Sequence, residues 1–86
     1  MSKQFFQLRP RFEIYSDLLR ESKTFICKYK LLEMTGNNYE RIDALLKPLI
    51  DSKLMEQKNK QYRSTVRGRQ FVRAMDKLSY ILKEAK

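Results

Sequence analysis

Apolar residues recur along this chain at helical spacing in four blocks, and a short stretch of different character separates the third from the fourth. From Arg11 to Ser22, the residues Phe12, Ile14, Tyr15, Leu18 and Leu19 cover nearly half of a helical circumference. So wide a face suits a helix clamped between two neighbours. Pro10 fits the first turn of that helix, where a missing N–H loses no partner. Residues 1–10 are then an N-terminal arm, with Phe5 and Phe6 expected to pack on the chain's own core or on a partner. A second helix is expected from a Thr24 cap to about Met34, with Phe25, Tyr29 and Leu32 on one stripe and Ile26 beside it. Thr35-Gly36-Asn37-Asn38 is a turn whose glycine can take positive φ and whose asparagines can cap the next helix. The third helix, from about Tyr39 to Ser52, has the clearest period. Ile42, Leu45, Leu46, Leu49 and Ile50 follow the i, i+3, i+4, i+7, i+8 template straight through Pro48. The proline deletes one backbone hydrogen bond, so it should kink the helix or loosen its last turn.

Leu54 to Lys58 and Gln61 to Ser64 are short polar runs around Asn59-Lys60, which predicts a β-hairpin. Thr65 then caps a last helix, Val66 to about Ala85, with Phe71, Ala74, Met75, Leu78, Ile81, Leu82 and Ala85 on one face. Arg73, Asp76, Lys77, Lys83 and Glu84 lie on the other, with Tyr80 among them. The expected fold class is mainly α with a small β-hairpin, in one domain over 1–86. A winged helix-turn-helix over 11–64 is followed by a long C-terminal dimerisation helix over 65–86. In this element order the third helix enters the DNA major groove.

Charge changes the picture more than length does. The 86 residues carry 19 Lys+Arg against 10 Asp+Glu, a formal +9, which favours a polyanionic partner. With no His and a single Cys, Cys27, the chain has no imidazole catalyst, no Ser-His or Cys-His pair, no Cys/His zinc set and no internal disulfide. No enzyme activity, metal or cofactor is expected, and Cys27 reads as a small buried hydrophobe. There is no run near the ~20 apolar residues of a membrane span, and the opening MSKQFFQLRPR lacks the apolar core of a secretory signal. A cytoplasmic, nucleoid-associated protein is expected.

The charge is unevenly placed. From Tyr39 to Lys53, Arg41, Lys47 and Lys53 balance Glu40, Asp43 and Asp51. A neutral third helix gains little from phosphates, so its reading of DNA must go through base edges. The candidates are Asn38, Glu40, Arg41, Asp43, Ala44 and Lys47, with Arg41 or Lys47 suited to guanine and Glu40 or Asp43 to cytosine N4. From Lys58 to Arg73 there are six cations and no acid. Lys58, Lys60 and Arg63 on the hairpin, with Arg67 and Arg69 in the first turn of the last helix, are the expected backbone contacts. Basic residues in that turn oppose the helix dipole, so something other than helix stability put them there. If these five each neutralise one phosphate in a dimer, the salt slope is on the order of −9. Tyr39 either touches a phosphate or packs against a neighbour.

The last helix has a wider apolar face than its own core needs. Phe71 and Met75 can pack within the domain, which leaves Leu78, Ile81, Leu82 and Ala85 for a second chain, with Tyr80 exposed or adding a contact. The expected assembly is a homodimer on double-stranded DNA. A protein-interaction adaptor is the competing reading. Membrane-surface binding ranks low, because the apolar face lacks Trp and the polar face carries Asp76 and Glu84.

Particular residues also resemble a family. Tyr39 to Met55 reads Y-x-x-I-x-x-L-L-x-P-L-I-x-x-x-L-M, and Gln61 to Phe71 reads Q-Y-R-S-T-x-x-G-R-x-F. This resembles the small archaeal winged-helix regulators, and is similar to the archaeal chromatin proteins of that fold whose C-terminal helix pairs in a coiled coil. The resemblance covers about residues 11 to 72. It implies that Lys23-Thr24-Phe25-Ile26 opens the second helix, and that Tyr62, Thr65 and Gly68 carry the wing into the last helix. It implies DNA binding as either a regulator or a sequence-tolerant chromatin protein.

Overall fold

The computed structural model describes the backbone of residues 3–84 and the side chains of residues 10–83. The elements are α1 (Lys3–Glu21), β1 (Ile26–Cys27), α2 (Lys28–Thr35), a 3-10 turn (Tyr39–Arg41), α3 (Ile42–Asp51), β2 (Met55–Lys58), β3 (Gln61–Ser64) and α4 (Val66–Glu84). The fold is mainly helical, with one small antiparallel sheet in the order β1-β3-β2. Tyr15, Leu18 and Leu19 of α1, Leu31 of α2, and Ile42, Leu45, Leu46 and Leu49 of α3 form the core with Met55 and Tyr62 of the wing.

Two expectations about element boundaries are corrected. α1 begins at Lys3 and runs through Pro10, so the segment expected as an arm is helical from its third residue. The missing proline N–H costs one bond, while Lys3 to Arg9 is dominated by unbranched residues that tolerate a helix well. The side chains of Phe5 and Phe6 lie outside the described residues. The second correction falls on Thr24, which caps nothing. Phe25 precedes a two-residue strand, and α2 starts at Lys28 after an extended Cys27 with no side-chain cap. Ile26 and Cys27 pair with Tyr62 and Gln61 of β3. The β-branched Ile26 and its aromatic neighbour suit a pleated edge, and the partner strand lies far along the chain where helical periodicity cannot see it. The Lys23-Thr24-Phe25-Ile26 stretch therefore leads into the sheet, not into the second helix. Cys27 is exposed on that edge strand and is no core residue.

The remaining elements follow the sequence closely. Gly36 ends α2 at φ +69°, and its N–H bonds the Leu32 carbonyl at 2.8 Å. Asn38 accepts from the Glu40 N–H at 2.8 Å and so caps the third helical segment. α3 stays one helix across Pro48. The hairpin turns on Asn59 and Lys60, both at positive φ (51° and 66°), as a two-residue turn of the I′ kind requires.

Two polar links fasten the wing. Ser22 and Ser64 are buried, and the Ser22 carbonyl accepts both the Ser64 N–H (2.7 Å) and the Ser64 hydroxyl (3.1 Å). The Thr65 hydroxyl donates to the Lys53 carbonyl at 2.6 Å and accepts the Gly68 N–H at 3.0 Å, which caps α4 and closes the wing's base in one residue. The Phe71 ring meets Phe12 edge-on at 6.1 Å, and Met75 is buried, so the first half of α4 packs on its own domain.

Candidate nucleic-acid interface

α3 turns its apolar stripe inward, which leaves Glu40, Arg41, Asp43, Ala44 and Lys47 exposed along the opposite face with Asn38 at its start. Asn38 uses its side-chain oxygen for the cap, so only its NH2 group is available to a base. Asp43 accepts from the Lys28 ammonium at 3.1 Å, and Lys47 lies 3.3 Å from Asp51 one turn on. Exposed pairs of this kind are worth a few tenths of a kcal/mol and open readily. Arg41 has no ion-pair partner among the described residues.

Beside this face stands a group that sequence reasoning did not assemble. Tyr29, from the first turn of α2, stacks on Tyr39 with ring centroids 5.6 Å apart and planes 11° from parallel. Their hydroxyls lie 3.4 Å apart, and the Lys28 ammonium sits 5.7 Å from the Tyr39 ring. Tyr39 thus packs against a neighbour, although it stays 56% exposed and Tyr29 64%. Tyr29 faces outward because α2 starts at Lys28, whereas a helix starting from a Thr24 cap places it on one stripe with Phe25 and Leu32.

The hydrogen bond with Tyr39 pushes the Tyr29 hydroxyl up from its ordinary value. The hydrogen bond with Asp43 holds the Lys28 ammonium up likewise. A raised phenol stabilises the fold while neutral. That contribution is fully present below the unfolded value near 10 and fades as pH rises through the folded one. Replacing Tyr39 by Phe should return the Tyr29 titration toward its ordinary range, as read by carbon NMR of labelled tyrosines. An unmoved Tyr29 titration would show that the hydroxyl pair is not the cause.

The six-cation run divides in space. Lys58 and Lys60 stand exposed at the hairpin tip, with no acid paired to either among the described residues. Arg63 does not join them. It pairs with Glu56 directly across the ladder and lies over the Phe25 ring at 4.3 Å. Strand alternation explains this, because Gln57 and Tyr62 face α3 beside Asp43, Lys47 and Asp51, while Glu56 and Arg63 face the other way. Arg69 and Arg73 continue that second side along α4. Arg67 is exposed two residues earlier, about 200° around the helix from Arg69.

Of the residues expected at a dimer contact, Leu78 and Leu82 are half-buried, while Tyr80 is 65% and Ile81 49% exposed. Ala85 lies outside the described residues. No described helix is long and apolar enough to cross a membrane.

Three helices, a short strand that joins a β-hairpin, and a recognition-type third helix packed beside that hairpin define a winged helix-turn-helix protein, a class that characteristically binds DNA. The family model described as winged helix-turn-helix matches residues 8–83, and the chain belongs to that family. A search of the curated proteins finds no match.

Proposed function

We propose that the protein is a homodimeric transcriptional regulator that binds double-stranded DNA, with α3 in the major groove and the hairpin tip on the neighbouring backbone. The observation that carries this is the tip itself. Lys60 holds a left-handed backbone at φ 66°, a conformation in which glycine is unstrained and another residue costs about 1 kcal/mol. A cation kept at that cost, next to unpaired Lys58, is what a phosphate contact asks for. Arg41, exposed and unpaired at the start of the third helical segment, is the residue best placed to read a guanine edge. The exposed Tyr80 and Ile81, with half-buried Leu78 and Leu82, support pairing of α4 with a second copy.

Fluorescence anisotropy with a labelled mixed-sequence duplex across a salt series tests the reading. Binding that weakens steeply with salt is expected. A preference for some sequences that survives unlabelled competitor marks a regulator, whereas loss of that preference marks a sequence-tolerant chromatin protein. No binding at low salt would overturn the DNA-binding assignment and favour an adaptor. Sedimentation of the same sample reads the dimer directly.

A further inference from the structure

A cleft lies away from α3, between the end of α1 and the start of α4. It holds about 520 Å³ and is floored by Leu19 and Val72. Four cations surround it: Arg20 and Lys23 from the α1 side, Arg69 and Arg73 from α4. The single acid on its wall, Asp76, is already taken by Arg20 at 2.6 Å. The side chains of Lys23, Arg69 and Arg73 make no hydrogen bond or ion pair among the described residues, so the groove keeps a net charge of about +3. Its neighbour toward the wing adds the neutral Glu56–Arg63 pair and no further acid. Further along the helices the cleft turns acidic, with Glu13 and Asp17, and the Arg20–Asp76 pair divides the two ends.

We propose that this groove binds a compact oligophosphate. Three observations carry the inference. The volume falls in the 300–1,000 Å³ range of small-molecule sites. Two of the three uncommitted cations are arginines one turn apart on a single helix, whose forks suit phosphate oxygens. The pocket is recessed between helices, so a compact anion can enter it, while a convex duplex meets mainly its rim. The uncompensated charges repel one another in the empty groove, and an anion relieves that repulsion. The site lies on the opposite side of the wing sheet from α3, so it is independent of the DNA-binding reading and open to a ligand while α3 is occupied.

The test is thermal unfolding with sodium tripolyphosphate in low-chloride buffer, without DNA. At about 100 times Kd the melting temperature should rise on the order of 10 °C. Arg69→Gln/Arg73→Gln should abolish the rise without lowering the melting temperature of the free protein, because both side chains are exposed and unpaired. Lys58→Gln/Lys60→Gln should keep the full rise. No stabilisation of the wild type, a rise that survives in the arginine variant, or an equal loss in the lysine variant overturns the site. A short duplex run in parallel separates the phosphate sources. If only the duplex stabilises through Arg69 and Arg73, the groove serves a nucleic-acid backbone and the oligophosphate proposal fails.

Discussion

Gly68→Ala should destabilise the protein by about 3 kcal/mol, although Gly68 sits inside a helix where alanine is intrinsically favoured by about 1 kcal/mol. The sign is decided by what an added methyl group meets. A Cβ there would lie 2.0 Å from the Leu54 carbonyl oxygen, 3.1 Å from its carbon and 3.2 Å from Leu19 Cδ2. The Leu19 side chain can give by a few tenths of an ångström. The Leu54 backbone cannot, because its N–H bonds the Leu49 carbonyl at 2.9 Å and its carbonyl accepts the Thr65 N–H at 3.0 Å. Relief therefore requires lifting the base of the wing off α4. For a domain of this size the loss corresponds to a melting temperature lower by roughly 12–24 °C. Gly36→Ala is the contrast. It has open space for a Cβ and only the left-handed φ of 69° to oppose it, so it should cost about 1 kcal/mol. Denaturant unfolding of both variants checks the order, and a stabilised Gly68→Ala would show that the close approach is not real.

Gly68 also illustrates how much could be read before the fold was known. The Tyr62, Thr65 and Gly68 spacing was visible in the chain, and each residue has a local role: a core ring, a cap and a contact that admits no side chain. α3 was legible because its apolar period and its Asn38 cap are local signals, and the hairpin because Asn59-Lys60 sits between two short polar runs. β1 was not, since two residues become a strand only through β3. Once Phe25 to Cys27 is taken for helix, Tyr29 is turned inward and its stack on Tyr39 disappears from view. Pro10 misled in the same way, by offering a helix start where the helix merely passes through. Arg63 was legible in principle. Across a two-residue turn it falls opposite Glu56, and alternation sends both away from Tyr62 and α3, yet counting charges along the chain grouped it with the tip.

That regrouping changes what DNA binding should look like. With Arg63 held by Glu56, Lys47 paired with Asp51 and Arg69 on the groove side, the unpaired cations left on the α3 face and at the tip are Arg41, Lys58 and Lys60. Arg41 is aimed at a base edge, so one phosphate each for Lys58 and Lys60 in a dimer gives a salt slope of about −4, not the −9 expected from five cations per chain. Lys58→Glu/Lys60→Glu should weaken binding on the order of 100-fold near 0.1 M salt, equally on every sequence, and flatten the slope by about 2 per protomer. Arg63→Gln should leave affinity nearly unchanged, and Arg41→Ala should alter sequence preference by about 1–3 kcal/mol. Lys60→Gly separates charge from folding, because removing a left-handed lysine should raise stability by about 1 kcal/mol while DNA affinity falls. A slope near −9, or an Arg63→Gln loss as large as that of the tip pair, would return Arg63 and Arg69 to the backbone. The second face of the wing would then belong to the same duplex as the first.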